Sequence, residues 1–219
     1  MNERLTAAVK KFSMSAVASE RYRGLADLCV PTWTRNAGAE AVNIDYHEDV
    51  GWHKSLVQRA KFWRRRTLEA VAARRPVVLM DVDCVVLSPI AGGFSDSHPI
   101  SVARWPNINI GVLFINTLVP FPFADFFDEF VDRLQAARQT KCADQDLMRG
   151  MLHARADSVC KLDARIWNLT FGVGDGAERL KKYPNGKILH LHWSNWGRVG
   201  ADRVRGRINH HYPGTFDEP

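Results

Sequence analysis

Asp81 and Asp83 carry the most pointed chemistry in the chain, set in the run PVVLMDVDCVVLSP at 76–89. A short continuous apolar run bounded by prolines reads as a buried strand. Carboxylates inside such a run are costly unless something pairs with them. In an extended chain the side-chain period is two, so Asp81 and Asp83 project to the same side. Two acidic oxygens converging at a strand end suit a hard divalent cation. The competing reading is a pair of strand-end aspartates that cap a helix or face an arginine. His190 and His192, in the run ILHLHW at 188–193, raise the same kind of question. At i and i+2 of a strand they share a face, a spacing compatible with metal or phosphate contact; a lone histidine there is more often structural.

The elements around these residues decide whether they can meet. The run FSMSAVA at 12–18 reads as a first strand, ending in Ser19-Glu20-Arg21-Tyr22. Leu25, Leu28 and Cys29 suggest a short helix that Pro31 breaks or kinks. Asn36-Ala37-Gly38 is a turn signal, and 41–45 a second strand with Asp45 at its exit. A helix over 54–73 follows, with Leu56, Ala60, Trp63, Thr67 and Val71 on one face. Pro76 stops it, and the aspartate strand comes next. Strand, helix, strand, helix, strand argues for a parallel sheet with helices packed on it. Ligands of such sheets sit outside the carboxyl ends of the strands. Asp81 and Asp83 are in that place, as is the Ser19–Tyr22 exit, so the order favours the metal reading.

Further on, 100–103 reads as a strand, and 107–111 leads into a strongly strand-like run at 112–115. Residues 122–137 give the clearest helix. Its stripe of Phe123, Phe126, Phe127, Phe130, Val131 and Leu134 is core. Asp144, Gln145 and Asp146 open another helix, where an aspartate ordinarily caps or complements the dipole. Residues 158–162 read as a strand. From 195 on the chain reads as a polar, basic loop or tail draped on the surface.

A length of 219 residues supports one substantial core. The hydrophobic content of 46% and charged content of 25% are those of an ordinary globular chain. The formal charge of +6 collects in residues 61–66, in Arg74 and Arg75, and around Arg198, Arg203, Arg205 and Arg207. That balance suits a nucleotide, a nucleic acid or an acidic membrane without choosing among them. For 61–66 alone the plainest reading is a solvated helix face. Cys29, Cys84, Cys142 and Cys160 lack CxxC spacing, which argues against a zinc knuckle and a dense disulfide framework. Reduced thiols in a cytoplasmic protein are the simplest expectation. The first twelve residues lack a secretory h-region, and no stretch approaches a membrane span. Peripheral membrane contact through the basic tail stays open.

Four signals fall in a meaningful order: Asp81-Val82-Asp83 after an apolar strand, Asn109-Ile110-Gly111 before another, Asp144-Gln145 at a helix start, and His190 after an apolar pair. This pattern resembles the nucleotide-diphospho-sugar transferases of the GT-A fold, particularly their glycogenin-like and galactosyltransferase-like retaining branch. The resemblance spans residues 12–197. It implies an α/β architecture: a single Rossmann-like GT-A domain at 1–197, its mixed, mostly parallel sheet flanked by helices, and a basic tail at 198–219. It implies that Asp81, Asp83 and His190 hold Mn2+ or Mg2+, and that the donor is a UDP- or GDP-linked sugar. By the same resemblance Asn109 contacts the donor sugar, Gly111 lets the backbone approach closely, and Asp144 and Gln145 lie at the reacting carbon. Ser19, Tyr22 and Asp45 line the base pocket, and His192 lies near the diphosphate. The family's usual Gly-x-x-Lys-Pro-Trp after the histidine is replaced by Trp193-Ser194-Asn195-Trp196-Gly197-Arg198, with Arg198 left to supply the positive charge. The acceptor, whether glycan, lipid-linked glycan or protein, is not specified, nor is the oligomeric state. Two rival readings are a HAD-type phosphatase with Asp81 as nucleophile and a basic nucleic-acid-binding module. The phosphatase family begins near its first motif, whereas here two strand–helix units precede Asp81. No nucleic-acid motif appears, so no nucleic-acid partner is expected.

Overall fold

The computed structural model describes residues 11–105, 107–137, 143–170, 181–191 and 201–216. Strands β1 (Ser13–Ser19), β2 (Ala41–His47) and β3 (Val77–Met80) are joined by helices α1 (Arg23–Asn36) and α2 (Trp52–Ala72). Then come β4 (Cys84–Val86), β5 (Ile100–Trp105), β6 (Asn107–Ile115), α3 (Phe123–Ala136), α4 (Ala143–Ala154) and β7 (Val159–Asp163). Short strands β8 (Leu169–Thr170) and β9 (Ile188–His190) and helix α5 (Ala201–His211) follow.

The main sheet has the order β2-β1-β3-β6-β5-β7. The pairs β1–β2, β1–β3 and β5–β7 are parallel, and only β6 runs against its neighbours β3 and β5. The expected mixed, mostly parallel α/β sheet is therefore present. Strand β3 is buried on both faces, so its side chains alternate between two cores. Val77 and Leu79 join the cluster under α2, α3 and α4, and Val78 and Met80 join the one under α1. The phenylalanine stripe of α3 lies in the first of these cores, as its spacing requires.

The run at 76–89 is not one strand. The backbone turns at Val82-Asp83, and the N–H of Cys84 donates to the carbonyl of Asp81 at 3.2 Å. Beyond the turn β4 belongs to a second sheet, β4-β9-β8. Apolar residues on both sides of the turn made the run read as continuous. The far edge of β4 is held by α1. Trp33 Nε1 donates to the Cys84 carbonyl at 2.6 Å, Asn36 Nδ2 donates to the Val86 carbonyl at 2.8 Å, and the Val86 N–H donates to Thr32 Oγ1 at 2.9 Å. Helix α1 runs through Pro31, so of the break or kink expected there the break does not occur; the proline is exposed, so its missing N–H leaves no buried group unpaired.

Two further expectations change. Strand β6 begins at Asn107, and over 110–112 it leaves β5 while staying beside β3: the register jumps from Val102↔Leu113 to Ala103↔Asn109. And residues 201–211 form a helix, not a draped loop. Val204 and Ile208, one turn apart, are buried against Leu25, Leu28 and Leu189. Only two apolar residues with Gly206 between them carry that helical signal, so the basic composition hid it. Among the described residues no helix is long and apolar enough to cross a membrane.

Candidate active site

Asp81 follows Leu79 on the α2 side of the sheet, and Arg59 of α2 reaches it: Nη1 donates to Asp81 Oδ1 at 2.6 Å. The same guanidinium pairs through Nη2 with Asp144, in the first turn of α4 and buried. Asp83, on the other limb of the turn, faces β9. His190 Nε2 lies 3.2 Å from Asp83 Oδ1 and 3.9 Å from Asp81 Oδ2. The competing sequence reading, a strand-end aspartate facing an arginine, describes Asp81. Asp81 faces an arginine, and with Asp83 and His190 it also forms a cluster at the carboxyl edge of the sheet. The two carboxylates converge because of the turn and not the strand pleat.

The backbone of β6 forms the floor. The Asp81 N–H donates to the Gly111 carbonyl at 2.8 Å. Asn109 Oδ1 accepts from the Gly111 N–H at 2.8 Å. Gln145 uses both ends of its amide on the same segment: Oε1 accepts from the Ile110 N–H at 3.1 Å, and Nε2 donates to the Ile108 carbonyl. These bonds satisfy the backbone groups released where β6 parts from β5. Asn109 and Gln145 thus shape the floor, while Asp144 presents its carboxylate to Arg59. A Cβ added at Gly111 would lie 2.5 Å from His190 Cε1, 2.8 Å from its Nδ1 and 3.0 Å from Asp81 Oδ2. Gly111→Ala is therefore expected to push His190 off the carboxylates. The cost is about 1–3 kcal/mol, the usual range for overpacking, read as a lower denaturation midpoint.

His190 is itself held from behind. Asn168 Oδ1 lies 3.2 Å from its Nδ1, and an amide oxygen only accepts, so Nδ1 carries the hydrogen and Nε2 addresses the carboxylates. Burial acts to lower the imidazole pKa. The Asp83 carboxylate, seconded by Asp81, outweighs it and leaves the pKa above the ordinary 6.5. Burial dominates at Asp81 and, with Asp83 nearby, raises its pKa above the ordinary 3.8 in spite of Arg59. In both cases the native state binds more protons than the unfolded one. The His190 contribution to metal-free stability is then fully present below its unfolded value and lost as pH rises through the raised folded value. With a chelator present, the melting temperature is expected to fall across the window above about pH 6.5, and His190→Gln to flatten that fall.

The remaining candidates lie around this cluster. Ser19 ends β1 at the same edge of the sheet; its Oγ is buried without a hydrogen-bond partner among the described residues. Tyr22, in the turn after β1, accepts from Arg21 through its Oη at 3.0 Å. Asp45 of β2 pairs with Arg65 of α2 and is half exposed. His192 and Arg198 lie outside the described residues. The basic run at 61–66 is largely neutralised: Arg64 pairs with Asp128, Arg65 with Asp45 and Arg66 with Glu69. Sequence reasoning passed over Arg59 and Asn168. Arg59 could have been found as a charge on the inner stripe of α2, three residues after Leu56 and four before Trp63, over whose ring it lies at 4.8 Å. Cys84, fully buried, completes a group with Asp83 and His190 whose ligand atoms all lie within 4.8 Å of one another.

No protein-family model matches the chain, and no curated protein sequence matches it. Solved structures do. A glycosyltransferase involved in the glycosylation of the major capsid of PBCV-1 superposes with a TM-score of 0.64 at 13% identity, covering 91% of this chain and 98% of that one. The apo-form glycosyltransferase GlyE of Streptococcus pneumoniae TIGR4 gives 0.59 at 14% identity, over 93% of this chain and 60% of that one. The chain therefore spans well under two thirds of GlyE and nearly all of the viral enzyme. Its fold is the GT-A fold of these glycosyltransferases, the architecture its ordered motifs resemble.

Proposed function

We propose that the protein is a metal-dependent glycosyltransferase that moves a sugar from a UDP- or GDP-linked donor to an acceptor, with retention of anomeric configuration. One observation carries the reading: Asp81, Asp83 and His190, from segments far apart in sequence, converge at the carboxyl edge of a GT-A sheet. The donor set fits a divalent ion, with two carboxylates, one imidazole oriented by Asn168, and a floor that Gly111 leaves open. Bound there, Mn2+ or Mg2+ would stabilise the charge developing on the departing nucleoside diphosphate.

The chain's own groups do the rest. Asp81, Asp83 and His190 would hold the ion that meets the diphosphate, and the hydroxyl of buried Ser19, without a hydrogen-bond partner among the described residues, offers a polar contact to the nucleotide at the same edge. Arg59 fixes the Asp144 carboxylate, the acidic group we assign to the reacting carbon. Gln145, with its amide committed to β6, positions that helix start. Tyr22, Asp45, His192 and Arg198 keep the donor-binding roles that the resemblance implies. The sheet order and the Arg59–Asp81 pair favour this reading over the phosphatase with Asp81 as nucleophile. The cytoplasmic setting stays the proposal that the cysteine spacing suggests.

Incubation with a panel of UDP- and GDP-sugars and Mn2+ is expected to release nucleotide from one donor class, even by slow hydrolysis. Proton NMR of the sugar product is expected to show the donor's anomer. No nucleotide release from any donor, in a protein that melts identically with and without UDP, GDP and Mn2+, would remove the transferase reading. An inverted product would remove only retention.

A further inference from the structure

In the ladder between β4 and β9, Cys84 stands directly opposite His190. Directly opposed residues of an antiparallel pair point to one face, with Cβ atoms about 5 Å apart. Asp83 precedes Cys84 and meets the same imidazole. Sulfur, nitrogen and carboxylate oxygen therefore share one small volume, all within 4.8 Å, with Cys84 fully buried. The cysteine is placed from two sides, its carbonyl held by Trp33 of α1 and its thiol lying 3.9 Å from the Gly111 carbonyl. An oxygen-and-imidazole site suits Mg2+ or Mn2+, whereas an added thiolate shifts preference toward Zn2+, Co2+ and Cd2+.

We propose that Cys84 is a further metal ligand, and that the site binds a thiophilic divalent ion through Asp83, His190 and the Cys84 sulfur. The assignment rests on the reading of Asp83 and His190 as metal ligands. The thiol proton passes to solvent as the sulfur–metal bond forms, with no change of oxidation state. Hard ions leave the thiol protonated and use the oxygen and nitrogen donors alone, so Cys84 sets which ions compete.

Cobalt substitution reads this directly in the intact chain. Co2+ added to metal-free protein is expected to give a sulfur-to-cobalt charge-transfer band in the near ultraviolet. That band is expected to vanish in Cys84→Val and Cys84→Ser and to persist in Cys29→Val. Zn2+ affinity, by competition with a chromophoric chelator, is expected to fall on the order of 10–100-fold in the Cys84 variants, the scale on which support for a metal site is lost. Mn2+ affinity is expected to hold. A cobalt complex with visible d–d bands and no thiolate band overturns the proposal, as does a thiolate band that survives Cys84→Val. If Mn2+-dependent stabilisation by UDP or GDP accompanies that failure, the transferase reading stands without it. A Cys84-dependent band in a protein indifferent to nucleotides supports the proposal and counts against the transferase.

Discussion

Asp83→Ala is expected to abolish the Mn2+-dependent stabilisation by UDP or GDP while leaving the fold intact. The asymmetry follows from what the carboxylate touches. It lies against His190, and its neighbour Asp81 is a like charge, so its removal relieves a repulsion as well as costing contacts. On the proposed reading the same carboxylate becomes a ligand once metal and nucleotide are present. A nucleotide at 100 times its dissociation constant stabilises by about 2.7 kcal/mol, and that gain is expected to disappear. Turnover is expected to drop about 10^3-fold, since a metal contributes several kcal/mol to charge stabilisation and about 1.4 kcal/mol is a factor of ten. The check is a melting series with and without Mn2+ and nucleotide. A mutant that keeps the full metal-dependent shift would exclude Asp83 from the metal site.

Arg59→Ala is expected to do the most damage to the metal-free fold. Arg59 bridges Asp81 and Asp144, with its own side chain 18% exposed and those of the two aspartates 22% and 6%. Removing the cation leaves two carboxylates under cover with no counter-charge from α2. Breaking a buried pair costs about 3 kcal/mol or more, and for a chain of this size that is roughly a 6–12 °C fall in melting temperature. Two signatures separate this from ordinary core damage. Lowering the pH relieves the defect, because the orphaned carboxylates can be protonated. Mn2+ also raises the melting temperature more in the variant than in the parent, because the ion takes over part of the neutralising charge on Asp81. A variant equally unstable at every pH, with no larger gain from Mn2+, would show Arg59 to be mere packing.

The strand–helix alternation was legible because the core strands are short, with β3 and β5 set off by proline, and because α2 and α3 carry clean apolar stripes. The path at 81–83 was not, since Val77 to Met80 and Cys84 to Leu87 have the same β-forming character and nothing marks a change of sheet between them. The meeting of Asp81, Asp83 and His190 could be anticipated from motif order alone, but its cause could not. Arg59 went unnoticed beside the denser run at 61–66, whose arginines pair mainly with acidic neighbours. The motif order singled out Gln145 and Asn109; that their amides brace β6 depends on a register jump that no local pattern announces.

The rung that joins Cys84 to His190 also orders events during folding. The β1–β2–β3 half of the sheet draws on neighbouring segments and can form early, whereas β9 must cross a long stretch of chain to reach β4. Closing such a loop costs entropy before any contact repays it, so high-separation pairings tend to be late and slow. Until β9 docks, Asp81 and Asp83 have no imidazole partner, and the floor made by Gly111 faces an empty edge. On the proposed reading, metal affinity would emerge only with this long-range pairing. A divalent ion present during refolding would bind after that step and act as a latch, slowing unfolding more than it speeds folding.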